Sequence, residues 1–273
     1  MLCALRAFAV LLAVPLAGPG PGSEPEPRLV RVGLDMRGEP WAYLPGVDSM
    51  KEISSQPQRL TAAQIGHLEG LDVDITKALD ERMRERLVIV PTRSEEIEQE
   101  LLDNKIDLIL NGWTPSVKTL PGIRASVPYY TWGLLIATRS ADKSIQSIAD
   151  LDGRRLGHSA DPAVLLSLKA MGLSLGAMLV EVGRGGDELF ERLGQGELDA
   201  IVFDSLFVRW RVARDPAFRA IGEPLNRLGC HVGVRATDPE LFGSVQAAVR
   251  SFVASPDAPA LLRKWESPPH RSR

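Results

Sequence analysis

The chain is poor in cysteine, histidine and aromatic residues, with 2 Cys, 4 His and 5% Phe, Trp and Tyr among 273 residues. Cys3 stands at the extreme N-terminus and Cys230 stands alone in the remainder of the chain, which therefore forms no internal disulfide. His67, His158, His231 and His270 show none of the close spacings of a zinc site, and neither a metal nor another cofactor is expected. A basic excess is missing too. The formal net charge of −3 offers phosphate backbones no footprint, which argues against nucleic acid as a partner. No Ser/His/Asp or Cys/His arrangement suggests nucleophilic catalysis. The longest apolar run falls short of the roughly 20 residues that span a bilayer.

That run lies in "MLCALRAFAVLLAVPLAGPG", where Arg6 precedes an apolar segment from Ala7 to Leu16 and then small residues. The layout is that of a secretory signal peptide, expected over residues 1–22 with cleavage between Ala17 and Ser23. Residues 23–28 read as a linker. Cys3 precedes the apolar run instead of ending it, so no lipobox is present and a freely soluble periplasmic protein is expected.

The length corresponds to about two domains at ~100–200 residues each. Strand-like runs alternate with helical patterns: "LVRVGL" (29–34), "LDVDITKALDERM" (71–83), "LVIV" (87–90), "EEIEQELLD" (95–103) and "DLIL" (107–110). A second series comprises "RRLGH" (154–158), a helix from Pro162, "MLVEV" (178–182), a helix from Asp187 to Leu193, "AIVFD" (200–204) and a helix through "SLFVRWRV". This alternation implies open, mainly parallel sheets covered by helices, arranged as two similar α/β lobes. Ligands of such sheets sit beyond the carboxyl ends of the strands. Here those ends are Asp35 to Trp41, Asn111 to Thr119, Gly157 to Pro162, and Asp204 with Ser205. The paired acids Asp72 and Asp74 open a helix, where capping is the expected role.

The stretches "RVGLDMRGEPW", "EGLDVDITKAL", "DLILNGWTPSVKTLPGIRASVPYYTWG", "DLDGRRLG", "LGQGELDAIVFD" and "HVGVRATDPELFGSVQAAVRSFVA" resemble, in order and spacing, the family 3 extracellular solute-binding proteins of ABC importers. The resemblance implies two Rossmann-like α/β lobes joined by a two-stranded hinge, with a ligand cleft between them, the type II periplasmic binding protein fold. One lobe would take residues 29–131 with 235–268, and the other residues 132–234. The implied partners are a small-molecule solute and an ABC permease in the inner membrane, and the receptor would be a monomer.

Residue by residue, the resemblance places Asp35 after the first strand, where a turn or helix-cap role is the alternative, and Asp204 where the family receives the ligand's α-amino group, where an N-cap role is the alternative. Asn111, Gly112 and Thr114 match the ligand-contacting loop. Trp41, Tyr43 and Trp113 are candidate aromatic walls, and Trp113 could equally be core. The departures are concerted. The family's carboxylate-clamping Arg falls on Thr119, with Lys118 beside it and Arg124 at a surface position. The facing Gly-Thr-Thr-type turn is replaced by "HSADPAV", which puts Ser159 and Asp161 there. The family's stacking rings fall on Gly38 and Ser94.

Loss of carboxylate contacts on both lobes points to a cationic amine without an essential carboxylate, or to an amino acid in an altered pose. The competing classes are an enzyme resembling the cyclohexadienyl dehydratases, against which Thr119 argues, and a periplasmic sensor or accessory protein. Residues 44–68 form a longer connection than the family's, read as a surface excursion or a lid.

Overall fold

The computed structural model describes residues 26–36, 38–45, 65–116, 119–160, 162–170, 176–183 and 185–266. The expected signal peptide, most of the 44–68 connection, Lys118 and Asp161 lie outside the described residues.

The chain opens with β1 (Leu29–Leu34), α1 (Leu71–Asp80), β2 (Arg86–Pro91), α2 (Ile97–Leu102), β3 (Leu108–Ile109) and β4 (Ile123–Ala125). It then forms β5 (Tyr130–Trp132), β6 (Leu134–Arg139), β7 (Arg155–Ser159), α3 (Pro162–Ala170), β8 (Met178–Val182), α4 (Gly186–Gly194) and β9 (Ala200–Asp204). It ends with α5 (Ser205–Arg214), β10 (Phe218–Ile221), β11 (Leu228–Cys230), β12 (Gly233–Arg235), α6 (Pro239–Val253) and α7 (Ala258–Glu266).

Two five-stranded sheets result, ordered β2-β1-β3-β12-β4 and β8-β7-β9-β6-β10. In the first, β1 runs parallel to β2 and β3, while β12 is antiparallel to β3 and β4. The second repeats this pattern, with β7 parallel to β8 and β9 and β6 antiparallel to β9 and β10. Between them β5 pairs antiparallel with β11, Thr131 opposite Gly229, and forms the hinge.

Period-two burial explains the strands. In β6, Leu134 and Ile136 enter one apolar cluster while Leu135 and Ala137 enter another, so this sheet is covered on both faces. Helix α6 buries Leu241, Val245, Val249 and Phe252 at helical spacing, starts at Pro239, and is capped by the Asp238 carboxylate, which accepts from Leu241 N at 3.0 Å. Helix α1 ends at Asp80, three residues before the sequence pattern suggests. The short strands β4, β5, β11 and β12 carry too few residues to show a period.

The repetition reaches individual side chains. In the first sheet Arg31 donates its backbone N–H and guanidinium to Asp107, which also accepts from Arg235 Nη2 at 2.7 Å. Arg235 Nη1 donates to the carbonyls of Leu101 and Ile106. In the second sheet Arg155 binds Asp199 in the same manner, and Arg139 Nη1 donates to the carbonyls of Leu193 and Leu198. Gly33 and Gly157 are equivalent too. A Cβ on Gly33 would meet Ile106 Cδ1 at 2.5 Å, and one on Gly157 would meet Leu198 Cδ1 at 2.5 Å.

Burial alone would raise the Asp107 carboxyl, but the hydrogen bonds from Arg31 and Arg235 outweigh it and hold the group well below the carboxylate range. Its contribution is therefore present above the unfolded value near pH 4 and is lost as pH falls. Arg235 is buried, at 8% exposure, so Asp107→Ala leaves an uncompensated guanidinium and costs roughly 3–5 kcal/mol in denaturant unfolding. The more exposed counterpart, Asp199→Ala, costs roughly 1.5–3 kcal/mol. Equal costs for the two variants would refute burial of Arg235 as the deciding factor.

Candidate functional site

Asp35, Asn111, Ser159 and Asp204 stand at or just after the carboxyl ends of β1, β3, β7 and β9, and the bond from Trp41 in the loop after β1 to Asp204 brings the ends of the two sheets together at a mouth. On the first side, Asn111 Oδ1 accepts from Asp35 N at 2.9 Å and its Nδ2 donates to Ser94 Oγ at 2.9 Å. Ser94 in turn donates from N, at 2.9 Å, and from Oγ, at 2.5 Å, to Asp35 Oδ2. These three residues cross-brace the loops after β1, β2 and β3.

Across the mouth, Asp204 ends β9 and caps α5. Its Oδ1 accepts from Leu206 N at 2.7 Å and Phe207 N at 3.4 Å. Its Oδ2 accepts from Trp41 Nε1 at 2.6 Å, a hydrogen bond joining the loop after β1 to the second sheet. The Trp41 ring meets Tyr130 edge-to-face, with centroids 5.8 Å apart. Gly112 lies close to the ring at φ +58, where a Cβ would stand 3.2 Å from it and in a backbone region that side chains avoid. Burial pushes the Asp204 carboxyl up to about 6, partly offset by the donors Trp41, Leu206 and Phe207.

The loop that carries Trp41 is tightly set. Gly38 and Ala42 exchange backbone hydrogen bonds at 3.2 and 2.8 Å, and the carbonyls of Pro40 and Trp41 accept from Leu71 N and Asp72 N, both at 2.9 Å. Those carbonyls satisfy the first N–H groups of α1, which corrects the expectation that Asp72 and Asp74 cap this helix. Asp74 Oδ2 instead accepts from Lys264 Nζ and Trp265 Nε1 and holds α7 in place.

Asp72 is fully buried beneath the Gly112 loop. Its Oδ1 accepts from Tyr129 Oη at 2.6 Å, and Tyr129 Oη accepts from Gly112 N at 3.2 Å. Asp72 Oδ2 has no hydrogen-bond partner among the described residues. Desolvation pushes this carboxyl up to about 8, the Tyr129 and Gly112 donors pull it back, and the Asp204 charge adds to the rise.

Other candidates are used elsewhere. Trp113 is core: its ring packs with Ile97, Leu101, Ile106 and Ile109, and its Nε1 donates to Glu98 at 2.9 Å. Tyr43 is likewise buried, donating to Glu69 and packing edge-to-face on Trp265. Thr114 serves the hinge, its Oγ1 donating to the Gly229 carbonyl at 3.0 Å and accepting from Trp132 Nε1 at 3.1 Å. Thr119 Oγ1 accepts from Ser116 N at 2.8 Å and closes a local turn. The Arg124 guanidinium lies over the Phe242 ring at 3.7 Å, an outward surface contact. Ser159 is buried at the end of β7, and Asp161 lies outside the described residues. The sequence marks the Trp in "GEPW" and the Asp in "VFDS" as separate candidates, and nothing in it announces the bond between them.

Two α/β lobes with mixed five-stranded sheets, a two-stranded antiparallel hinge and a mouth at the strand ends define a two-lobed binding protein of the type II periplasmic class. The chain belongs to the bacterial extracellular solute-binding proteins, family 3, whose family model matches residues 52–268. It is 29% identical over 202 residues to the arginine-binding extracellular protein ArtP of Bacillus subtilis, covering 73% of this chain and 78% of that one. It is 28% identical over 206 residues to the L-arginine-binding protein of Pseudomonas aeruginosa, covering 70% and 76% respectively. A probable amino-acid ABC transporter-binding protein of Haemophilus influenzae is 29% identical over 143 residues, 52% of this chain and about half, 54%, of its own length. Among solved structures, the probable amino-acid ABC transporter extracellular-binding protein ytmK of Bacillus subtilis is similar with a TM-score of 0.74 and 18% identity, over 89% of this chain and 99% of that one. An ancestral cationic amino acid solute-binding protein gives a TM-score of 0.69 and 24% identity, over 87% and 95%.

Asp72 generates a pH prediction. Its folded value lies above its unfolded one, so the folded state keeps a proton that the unfolded chain releases, and stability declines as pH rises from about 4 toward 8. Asp72→Asn keeps an acceptor for Tyr129 but does not titrate. One extra bound proton is worth about 1.4 kcal/mol for each pH unit over which the two states differ by it. With allowance for relaxation around the carboxyl, the stability of Asp72→Asn relative to the native chain should rise by roughly 2–4 kcal/mol between about pH 4.5 and about pH 8. Parallel stability profiles for the two proteins, from denaturant titrations across this range, would contradict a protonated Asp72.

Proposed function

We propose that the chain is the extracytoplasmic receptor of an ABC importer, binding an amino-acid-like or cationic amine solute between its lobes and presenting the closed form to an inner-membrane permease. In this reading the lobes comprise residues 29–131 with 235–268, and residues 132–234. The receptor works in the periplasm as a monomer and carries out no catalysis. Asp204 is the observation that carries the proposal. It sits at a strand end and a helix N-terminus, with Oδ1 held by the cap and Oδ2 accepting from Trp41 Nε1 of the loop after β1. A carboxylate so placed can accept an ammonium group once the indole gives way or through its second lone pair.

The carboxylate side of the site differs from a typical amino-acid receptor. Thr119 folds onto Ser116 and Arg124 lies on the outer surface, so neither supplies a bidentate carboxylate grip. Asp35, held by Ser94, adds a second carboxylate at the end of β1. This balance favours cationic amines over ligands that depend on a carboxylate clamp. The names of the arginine-binding relatives agree with a cationic solute.

Titration calorimetry against arginine, lysine, polyamines and quaternary amines tests the reading. Asp204→Asn retains a cap oxygen and should leave folding intact while weakening a cationic ligand by roughly 1.5–3 kcal/mol. Because Asp204 titrates at about 6, the Kd of such a ligand should be flat above about pH 7 and rise about tenfold per unit below pH 6. A ligand held equally well by native and Asp204→Asn proteins would end the proposal that this carboxylate is the amine site.

A further inference from the structure

Trp41 already stands where the ligand's ammonium would arrive. We propose that Trp41 is a built-in occupant of the Asp204 carboxylate, a latch that holds the unliganded lobes together and that a ligand must displace before it can bind. The inference rests on the reading of Asp204 as the ammonium acceptor and concerns the regulation of that same site.

Three observations meet at this contact. The first is its geometry: Trp41 Nε1 donates to Asp204 Oδ2 at 2.6 Å, joining the loop after β1 of the first sheet to the end of β9 in the second, 163 positions apart. The second is the commitment of the other oxygen. Oδ1 is engaged by Leu206 N and Phe207 N, so Oδ2 is the acceptor left for a ligand, and it is the one the indole takes. The third is the seat built for the ring. Gly112 has no Cβ to obstruct it, Tyr130 meets it edge-to-face, and the backbone behind it is fixed by the Gly38 and Ala42 pair and by the two carbonyls that bind the start of α1. A ring held on both its face and its backbone loses little conformational entropy by reaching across the mouth.

A carboxylate oxygen has two lone pairs, so the indole N–H excludes a ligand ammonium only along the direction that faces Trp41, the direction from which a ligand lying between the lobes must approach. Binding is then an exchange, and the apparent affinity is lowered by the fraction of molecules that remain latched. Displacement would also free Trp41 to lie against the bound cation, which its ring is suited to do.

The experiment uses the mature chain without added ligand, and then with L-arginine and putrescine as probes. Trp41→Phe keeps the ring and deletes the N–H. Unliganded Trp41→Phe should scatter as a more open molecule, with a larger radius of gyration than the native protein. In nitrogen-15 spectra the native Trp41 indole N–H should be protected from exchange and should lose that protection in Asp204→Asn, a second variant that keeps the α5 cap. The probe that binds should bind Trp41→Phe about tenfold tighter, the gain expected when a competent fraction near one tenth becomes fully available. An unchanged radius together with an exchange-labile indole in the native protein would overturn the latch. So would weaker probe binding by Trp41→Phe, which would make Trp41 a ligand contact instead of a competitor. The scattering and indole measurements need no ligand, so they decide the latch even if neither probe binds, a result that would count against the amine reading alone.

Discussion

One carboxylate, Asp204, joins everything that the two lobes must do together. Its Oδ1 ends the second sheet's central strand by satisfying the first free N–H groups of α5, and its Oδ2 reaches Trp41 on the other lobe. Leu134, just past the hinge strand, pairs with Asp204 in the sheet, and Ser205 N donates to the Gly133 carbonyl at 2.8 Å. Asp204 is thus tied to the residues just past the hinge strand by sheet pairing and by the hydrogen bond of its neighbour Ser205. A charge in this position is costly because it is half-buried, and the three donors around it only partly offset the desolvation. A site with an unmet electrostatic demand is a site that gains from a cation.

The duplicated Arg and Asp clamps explain how the mouth stays open to such chemistry. Arg31 with Asp107, and Arg155 with Asp199, lock the amino ends of the sheets, and Arg235 and Arg139 tie the loop leading into each central strand. Gly33 and Gly157 then let the neighbouring helical layer close over β1 and β7. Rigidity concentrated at the far end leaves the carboxyl ends free to vary. The equivalent positions there do vary, with Asn111 and Gly112 on one lobe answered by Phe203 and Asp204 on the other.

Much of this is legible in the sequence, because it depends on period and order. The runs 29–34, 178–182 and 200–204 coincide with β1, β8 and β9, and the hinge falls where "YYTW" and "LGC" pair. Three-residue strands such as β4 and β11 carry no period and escape such a reading. Side-chain destinations are less legible, since the same residue type serves opposite ends. Trp41 and Trp113 are both half-apolar rings with one donor, yet Glu98 draws one into the core and Asp204 draws the other across the mouth. Asp72 reads as a cap residue by position, and only the loop carbonyls of Pro40 and Trp41 show that the helix start is already satisfied. The paired "IDLIL" and "LDAIV" stretches, each preceded by a helix, hold the signal for the duplicated clamp, but their apolar period announces only the strands.

The Trp41 contact also bears on selectivity, through the difference between neutral and charged donors. An indole N–H is a neutral donor, and its hydrogen bond to a carboxylate is worth about 1.5–3 kcal/mol net. A hydroxyl or amide on a ligand offers the same kind of bond, so exchanging it for Trp41 gains almost nothing while adding the cost of ordering the ligand. An ammonium or guanidinium adds charge attraction in a partly desolvated mouth, where screening is weak, and can win the exchange. The latch thus sets a threshold that only cations cross. It rejects neutral solutes without any steric wall, by occupying the acceptor with a donor as good as theirs. The absence of an Arg at position 119 fits the same logic, since a guanidinium in the mouth would compensate the Asp204 charge and remove the demand on which the selection of cations depends.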